Sequence, residues 1–169
     1  MELKDNVPYI DQTASILRNK YGLQLNKNFQ RLCVDNKIRL YEHEMFIIPE
    51  CTLSEEGIRN VFYYPSQTPL WGKYQRAVGL GHAFLQHYDD NNKSAALKKE
   101  EAEYFAGKLF PILPGVKQIL EKIAELEINI RSSNGVGEDI IFLGIGDGPK
   151  NRTECLNLRA KQLKPVFPR

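Results

Sequence analysis

Two histidines and two adjacent glutamates are the side chains in this sequence whose types and spacing could do chemistry. His82 ends the pentapeptide VGLGH, His87 follows on the same predicted helix, and Glu100 and Glu101 lie in the next helical segment. Imidazole and carboxylate groups can hold a zinc ion together, or move a proton to and from water. These residue types could contribute to a metal or acid-base site if the fold brings the two helices together.

Helical periodicity separates the stronger ligand candidates from the weaker ones. Glu101 lies at the border of the apolar face of its helix, whereas Glu100 points away from the core, so Glu101 is the preferred candidate of the pair and Glu100 is held in reserve. His87 is the second reserve ligand. Its five-residue distance from His82 corresponds to about 140° around a helix, so the two imidazoles diverge unless that helix ends early.

Two longer segments carry a recognisable pattern. They read AVGLGHAFL from Ala77 to Leu85 and EEAEYFAGKLFP from Glu100 to Pro111. Together they resemble the ImmA/IrrE family of zinc metallopeptidases, whose active helix reads A-H-E-L-G-H and whose next helix reads roughly E-x-E-A-N-x-F-A-x-x-L-L. The segment Val61 to Tyr64 lies where that family has a strand at its substrate cleft. The resemblance covers about Asp11 to Pro111.

The resemblance implies a zinc site with two histidines on one helix, a downstream glutamate ligand and a glutamate that acts as general base. His82 takes the place of the second histidine and Glu101 that of the downstream ligand. Val78 replaces the first histidine and Gly79 replaces the general base. Valine cannot bind a metal and glycine cannot accept a proton, so a pseudoenzyme without tight zinc binding is expected.

Family members often act on repressor or regulator proteins, so the resemblance implies a protein-binding regulator. We expect a protein or peptide partner, such as a transcriptional regulator, that pairs with the edge of the strand before the central helix. Val61, Tyr63 and Trp71 are the predicted partner-binding residues. The alternative is an active zinc metallopeptidase that cleaves a regulator or repressor protein through a rearranged metal site, with His87, His43 or water in place of the lost ligand.

Composition and charge exclude several other classes of protein. The chain has 169 residues, 42% of them hydrophobic and 26% charged, and a net charge of +2, which disfavours a disordered chain and direct nucleic-acid binding. The apolar run Ile140 to Ile145 is too short to cross a bilayer, and the start MELKDN lacks the layout of a signal peptide. A cytoplasmic protein without a membrane partner is expected.

A glycine-rich stretch forms a second candidate site. Gly144, Gly146 and Gly148 follow the apolar run, a setting in which backbone amides can cradle a phosphate. No Lys-Ser/Thr pair follows them, as a P-loop would require. A turn is therefore the favoured interpretation, with phosphate or nucleotide binding as the alternative.

The elements that must position these residues predict an α+β fold, and the resemblance makes it zincin-like. A small antiparallel or mixed sheet should pack on a central helix, with a C-terminal strand and helix added. Residues 1–130 would form the zincin-like domain and 131–169 an extension packed on the same core. The predicted helices cover residues 11–21, 70–88, 94–110, 116–126 and 152–163. The predicted strands cover residues 31–34, 37–41, 45–48, 60–64 and 139–144.

Overall fold

Six helices and one three-stranded sheet make up the part of the chain described in this computed structural model, residues 1–22, 25–131 and 149–168. The α+β class is therefore as expected. The helices are α1 (Leu3–Tyr21), α2 (Leu25–Asp35), α3 (Pro69–Phe84), α4 (Ala95–Leu109), α5 (Pro114–Arg131) and α6 (Pro149–Gln162). The strands are β1 (Ile38–Glu42), β2 (Glu50–Leu53) and β3 (Arg59–Tyr63).

The sheet is mixed, with β3 in its centre. The strand order is β1-β3-β2, and β3 runs parallel to β1 and antiparallel to β2. Val61 of β3 is the common partner, opposite Leu40 on one side and Cys51 on the other. Both edges of β3 are therefore occupied by neighbouring strands.

Helices cover both faces of the sheet, because side chains alternate along each strand. Leu40, Val61 and Tyr63 lie on one face, in the main core formed with α1 to α4. Tyr41 and Phe62 lie on the opposite face. They form a smaller core with Phe46 and with two residues of α6, Leu156 and Ala160.

The central helix α3 lies between the sheet and α4, and two glycines permit its close approach to both. A Cβ atom added to Gly79 would overlap Cγ1 of Val61 on β3. A Cβ atom added to Gly81 would lie 2.9 Å from Cα of Ala102 on α4. Both sides of α3 are therefore packed too tightly for larger side chains at these positions.

The outer edge of β1 is paired with residues near the C-terminus. The amide of Leu40 donates to the carbonyl of Phe167 at 2.7 Å, and the amide of Val166 donates to the carbonyl of Leu40 at 2.7 Å. The ring of Phe167 also packs against the main core. This segment continues the sheet by one antiparallel bridge beyond β1.

Several predicted boundaries are wrong. Residues 31–34 belong to α2, because Phe29, Leu32 and Cys33 are buried at helical spacing. Residues 45–48 form a loop, in which only Phe46 is buried. The strand β2 is missed by the sequence analysis, and α1 begins at Leu3, well before the predicted start.

The other predicted elements include one that is confirmed and two that lie outside the described residues. The helix predicted for 94–110 is confirmed as α4, and Ser94 caps it by accepting a hydrogen bond from the amide of Leu97 at 3.2 Å. The predicted strand 139–144 and the loop with Gly144, Gly146 and Gly148 lie outside the described residues. In the described ranges, no helix is both long enough and apolar enough to cross a bilayer.

Candidate functional site

The predicted site residues lie where three helices and one loop meet. His82 is in the last turn of α3 and Glu101 is in the first half of α4. Asn6 reaches the same point from α1, and His87 reaches it from the loop that follows α3. His82, His87 and Glu101 are all buried, with exposed fractions of 9%, 4% and 1%.

The early end of α3 brings the two histidines together. The helix ends at Phe84, and Gln86 then adopts a left-handed conformation with φ of 54°. The amide of His87 donates to the carbonyl of His82 at 3.1 Å, so the chain turns back over the end of the helix. The expected divergence of the two imidazoles is therefore wrong, because it assumed a helix that continues to residue 88.

A chain of short contacts links the three side chains. Nδ1 of His87 lies 2.9 Å from Nδ1 of His82, and Nε2 of His87 lies 2.9 Å from Oε2 of Glu101. His87 is therefore the middle member, and Glu101 contacts His82 only through it. Sequence periodicity placed Glu101 at the edge of the core and Glu100 outside, and the structure likewise buries Glu101 and exposes Glu100.

The carboxylate of Glu101 is held by three protein donors. Nδ2 of Asn6 donates to Oε1 at 2.5 Å, and Nζ of Lys93 lies 2.9 Å from Oε2, the atom that also contacts His87. Burial opposes ionisation, but the hydrogen bonds from Lys93, Asn6 and His87 outweigh it and lower the pKa of the Glu101 carboxyl. The ammonium of Lys93 compensates the buried negative charge.

These contacts define the protonation of both rings. Because the ionised Glu101 can only accept, Nε2 of His87 carries a proton and its Nδ1 accepts one from Nδ1 of His82. Burial lowers the pKa of His82 to about 3, with added repulsion from His87 and Lys98, and burial also lowers the pKa of His87. Both rings are therefore neutral at physiological pH. Nε2 of His82 is buried without a hydrogen-bond partner in the described part of the chain.

The geometry of these side chains does not fit a zinc ion. Two nitrogens on one tetrahedral zinc stand about 3.3 Å apart, farther than the hydrogen-bonded pair His82 and His87. Glu101 lies on the opposite nitrogen of His87, and the ammonium of Lys93 lies beside its carboxylate. Among residues 1–22, 25–131 and 149–168, no group of three or more His, Cys, Asp or Glu could hold a metal ion.

Positions 78 and 79 of α3 face the packed core. Gly79, which stands where the resemblance places the general base, contacts Val61 of the central strand. Val78, which stands where it places the first histidine, is 4% exposed. A glutamate at position 79 would collide with the sheet and would not project into a solvent-filled cleft. The chain therefore offers no room for a general base at this point.

The predicted partner-binding residues are mostly inaccessible. Val61 and Tyr63 are fully buried, and their strand β3 has a neighbour on both sides, so a peptide cannot pair with its edge as expected. Trp71 is half-buried and stacks on Tyr74 with ring centroids 5.3 Å apart. His43 lies elsewhere, with its Nε2 3.1 Å from Nη2 of Arg159.

Sequence reasoning missed two members of the cluster. Asn6 precedes Glu101 by 95 residues, and only the packing of α1 on α4 brings them together. Lys93 lies in the loop before α4 and appears in the sequence as one more solvated lysine. A basic residue shortly before a buried glutamate is a weak signal, because most such lysines remain in solvent.

Comparison of the chain with protein-family models, with characterised proteins and with solved structures gives no match. The similarity to the ImmA/IrrE motifs therefore rests on the residues of α3 and α4 themselves.

Proposed function

We propose that this protein is a non-catalytic, protein-binding regulator built on a zincin-like, metallopeptidase-like scaffold. The observation that carries the proposal is the ion pair between Lys93 and Glu101. In this cluster a lysine ammonium provides the positive charge beside the buried glutamate, a role that a metal ion would have in an active enzyme. Asn6 donates to the other carboxylate oxygen, and His87 contacts the same oxygen as Lys93.

The absence of space for a general base supports the same conclusion. Hydrolysis by this family's mechanism needs a carboxylate that takes a proton from water. Gly79 packs against Val61, so close contact between α3 and the sheet occupies this position. The remaining groups, His82 and His87, are neutral, buried and bonded to each other.

A seam of exposed aliphatic side chains on α5 supports protein binding. Its spacing alternates between three and four residues, the 3.5-residue repeat of helices that pack along each other. The seam consists of Val116, Ile119, Ile123, Leu126 and Ile130, with exposed fractions of 37%, 60%, 42%, 62% and 63%. Leu120 and Ala124, on another side of α5, face the protein's own core.

The occupant that suits this seam is an amphipathic helix of a partner protein. Exposed apolar residues scattered singly are ordinary, whereas a continuous stripe marks an interaction surface. The α5 seam spans most of an 18-residue helix, long enough for a helix to lie along it. A helical segment of a regulator protein is therefore the proposed ligand.

The non-catalytic part is tested by metal content. Protein purified without chelator should contain substoichiometric zinc, and the amount should be the same in His82→Ala. Stoichiometric zinc that is lost in His82→Ala would overturn the proposal and establish the rearranged metallopeptidase instead.

The binding part is tested with a synthetic amphipathic helix that has leucine at every a and d position. It should bind the wild-type chain in sedimentation experiments and should not bind an Ile119→Glu, Leu126→Glu double variant. The matched control, Gln118→Glu with Lys122→Glu, changes charge on the same helix and should bind normally. Equal binding by both variants would contradict the proposal. Self-association of the chain alone through the α5 seam would show that the seam binds a second copy of this chain and not a different protein.

A further inference from the structure

The outer edge of β1 offers more backbone pairing than the residues near the C-terminus use. The carbonyl of Lys37 and the amide of His43, at the two ends of β1, bond to β3 at 2.9 Å and 3.1 Å. Because peptide groups alternate in direction along a strand, Ile38, Leu40 and Glu42 face the outer side. Within the described ranges, backbone hydrogen bonds on that side reach only Leu40. The two outward-facing residues beside it are therefore open to pairing with an added strand.

Residues 164–168, which we call the edge segment, cannot lengthen this pairing. Pro165 and Pro168 flank the paired residues Val166 and Phe167, and proline has no amide hydrogen to donate. The segment is held to the sheet by two backbone hydrogen bonds at Leu40 and by the half-buried ring of Phe167. A chain without these prolines could pair along more of β1.

The ring of Phe167 marks a position that favours an aromatic side chain. Its centroid lies 5.9 Å from the guanidinium carbon of Arg76. The ring centroids of Phe29 and Tyr63 lie 5.7 Å and 6.0 Å from the same atom. A cation attracts the faces of aromatic rings at such distances. Arg76 thus stands among three rings, one of which the edge segment supplies.

The positive charge of Arg76 is not matched by a carboxylate. Its side chain is half-buried, its Nε donates to the carbonyl of Gly72 at 3.5 Å, and it forms no ion pair in the described part of the chain. The edge segment reads KPVFP and has no acidic residue, so it leaves this charge unpaired. A ligand with a carboxylate beside its aromatic ring would add a charge-assisted hydrogen bond that the edge segment lacks.

We propose that the outer edge of β1 is a docking site for an extended segment of a partner protein that carries an aromatic residue next to an acidic one. The partner's backbone pairs with the outward-facing residues of β1, the mode of recognition called strand addition. Its ring takes the place of Phe167, and its carboxylate binds Arg76. The edge segment occupies this site in the free protein and is displaced when the partner binds. The site does not depend on the α5 seam, so either can fail without the other.

The experiment measures the binding of a fluorescent heptapeptide, TTVFEVT, to the full chain by fluorescence anisotropy. The peptide presents valine, phenylalanine and glutamate in the places of Val166, Phe167 and Pro168. Its affinity for the wild-type chain should be low, because the edge segment competes for the same site.

Two variants release the edge segment in different ways. Phe167→Ala removes the competing ring, and Val166→Pro removes the amide that donates to the carbonyl of Leu40. Both should bind TTVFEVT about tenfold more tightly than the wild-type chain, because the site is then vacant in a larger fraction of the molecules. The matched control is Lys164→Ala, at an exposed position of the same segment, which should bind as the wild type does.

Two further peptides test the chemistry that the site recognises. TTVAEVT lacks the ring and should bind Phe167→Ala about tenfold more weakly than TTVFEVT. TTVFKVT reverses the charge and should bind about threefold more weakly. In the double variant Phe167→Ala, Arg76→Gln, TTVFEVT and TTVFKVT should bind equally, since the cation that distinguishes them is gone.

Hydrogen exchange locates the peptide on β1. The amide of Leu40 should exchange faster in Phe167→Ala than in the wild-type chain, and TTVFEVT should restore its protection. Thermal unfolding confirms that each variant is folded.

Three results would overturn the proposal. In the first, folded Phe167→Ala and Val166→Pro both bind TTVFEVT no better than the wild type does. In the second, TTVAEVT binds as tightly as TTVFEVT, or the preference for glutamate persists without Arg76. In the third, Phe167→Ala dimerises without peptide, which would assign the edge of β1 to a second copy of this chain.

Discussion

At the scale of single residues, Glu101 is a buried carboxylate held by three side-chain donors. Its carboxylate is 1% exposed and ionised, so its charge must be balanced by protein groups. Lys93 supplies the opposite charge, and Asn6 and His87 supply neutral donors. The cluster is therefore a buried ion pair between Lys93 and Glu101, extended by the hydrogen-bonded rings of His87 and His82.

Removal of the Lys93 ammonium should lower the stability of the folded protein. We expect Lys93→Met to lower the free energy of unfolding by about 3 kcal/mol, because the mutation leaves a buried carboxylate without its counter-charge. Urea unfolding measures the change. The matched control is Lys99→Met, at an exposed lysine 4.0 Å from Glu103, which should cost about 0.5 kcal/mol or less. Equal losses in the two variants would show that the Lys93 pair contributes no more than a surface contact.

Part of this site follows from local sequence patterns. The period of the helix places His82 and Glu101 towards the interior, because burial of a helix face depends on nearby apolar residues. The arrival of His87 depends on Gln86, whose left-handed backbone ends α3 early without a glycine to signal it. Lys93 and Asn6 depend on tertiary packing, which no local pattern encodes.

At the scale of elements, α3 is defined by its two contact faces. Gly79 faces β3 and Gly81 faces α4, so the helix carries small residues on both sides. Glycine is a poor helix former, and its presence here exchanges helix propensity for close packing. The glycine at position 79 thus has a structural explanation in the close packing of α3 on β3.

Alanine substitutions should separate the two properties of glycine, its low helix propensity and its small size in close packing. Gly79→Ala should destabilise the protein by about 1–3 kcal/mol, since the stiff Val61 side chain cannot move away from the added methyl group. Gly107→Ala, at an exposed site on α4 with no neighbouring atom within 4 Å, should stabilise it by up to about 1 kcal/mol. Thermal and urea unfolding give both values. A stabilised Gly79→Ala protein would mean that α3 and β3 are less closely packed than described.

The strands were harder to predict than the helices. Residues 31–34 look β-like in isolation, but they continue the buried face of α2 that includes Phe29. The strand β2 has only four residues, too few for an alternating pattern to stand out. The parallel pairing of β1 with β3 depends on contacts distant in sequence, so local patterns leave the sheet as antiparallel or mixed.

At the scale of the whole molecule, the histidine cluster joins α1, α3 and α4 and couples their stability to pH. The pKa of His82 is about 3 in the folded protein and 6.5 in an unfolded chain, so the unfolded state binds more protons between these values. Stability from this group is complete above pH 6.5 and is lost as the pH falls towards 3. The fold should therefore weaken in mild acid.

We expect the free energy of unfolding to fall by about 1.2 kcal/mol between pH 6 and pH 5, from His82 alone. Denaturant unfolding at a series of pH values measures this slope. His82→Gln keeps a hydrogen-bonding side chain without the titration, so its slope should be shallower. Identical slopes would exclude His82 as the source of the acid sensitivity.

The pairing of Val166 and Phe167 with Leu40 has a consequence for solubility. An unpaired strand edge is a template on which another chain can add a strand, the first step of aggregation. Here two backbone hydrogen bonds close the outer edge of β1 at its centre. Detachment of this short segment would leave the outer backbone groups of Leu40 open to pairing with another chain, so closure of this edge depends on a few residues distant in sequence.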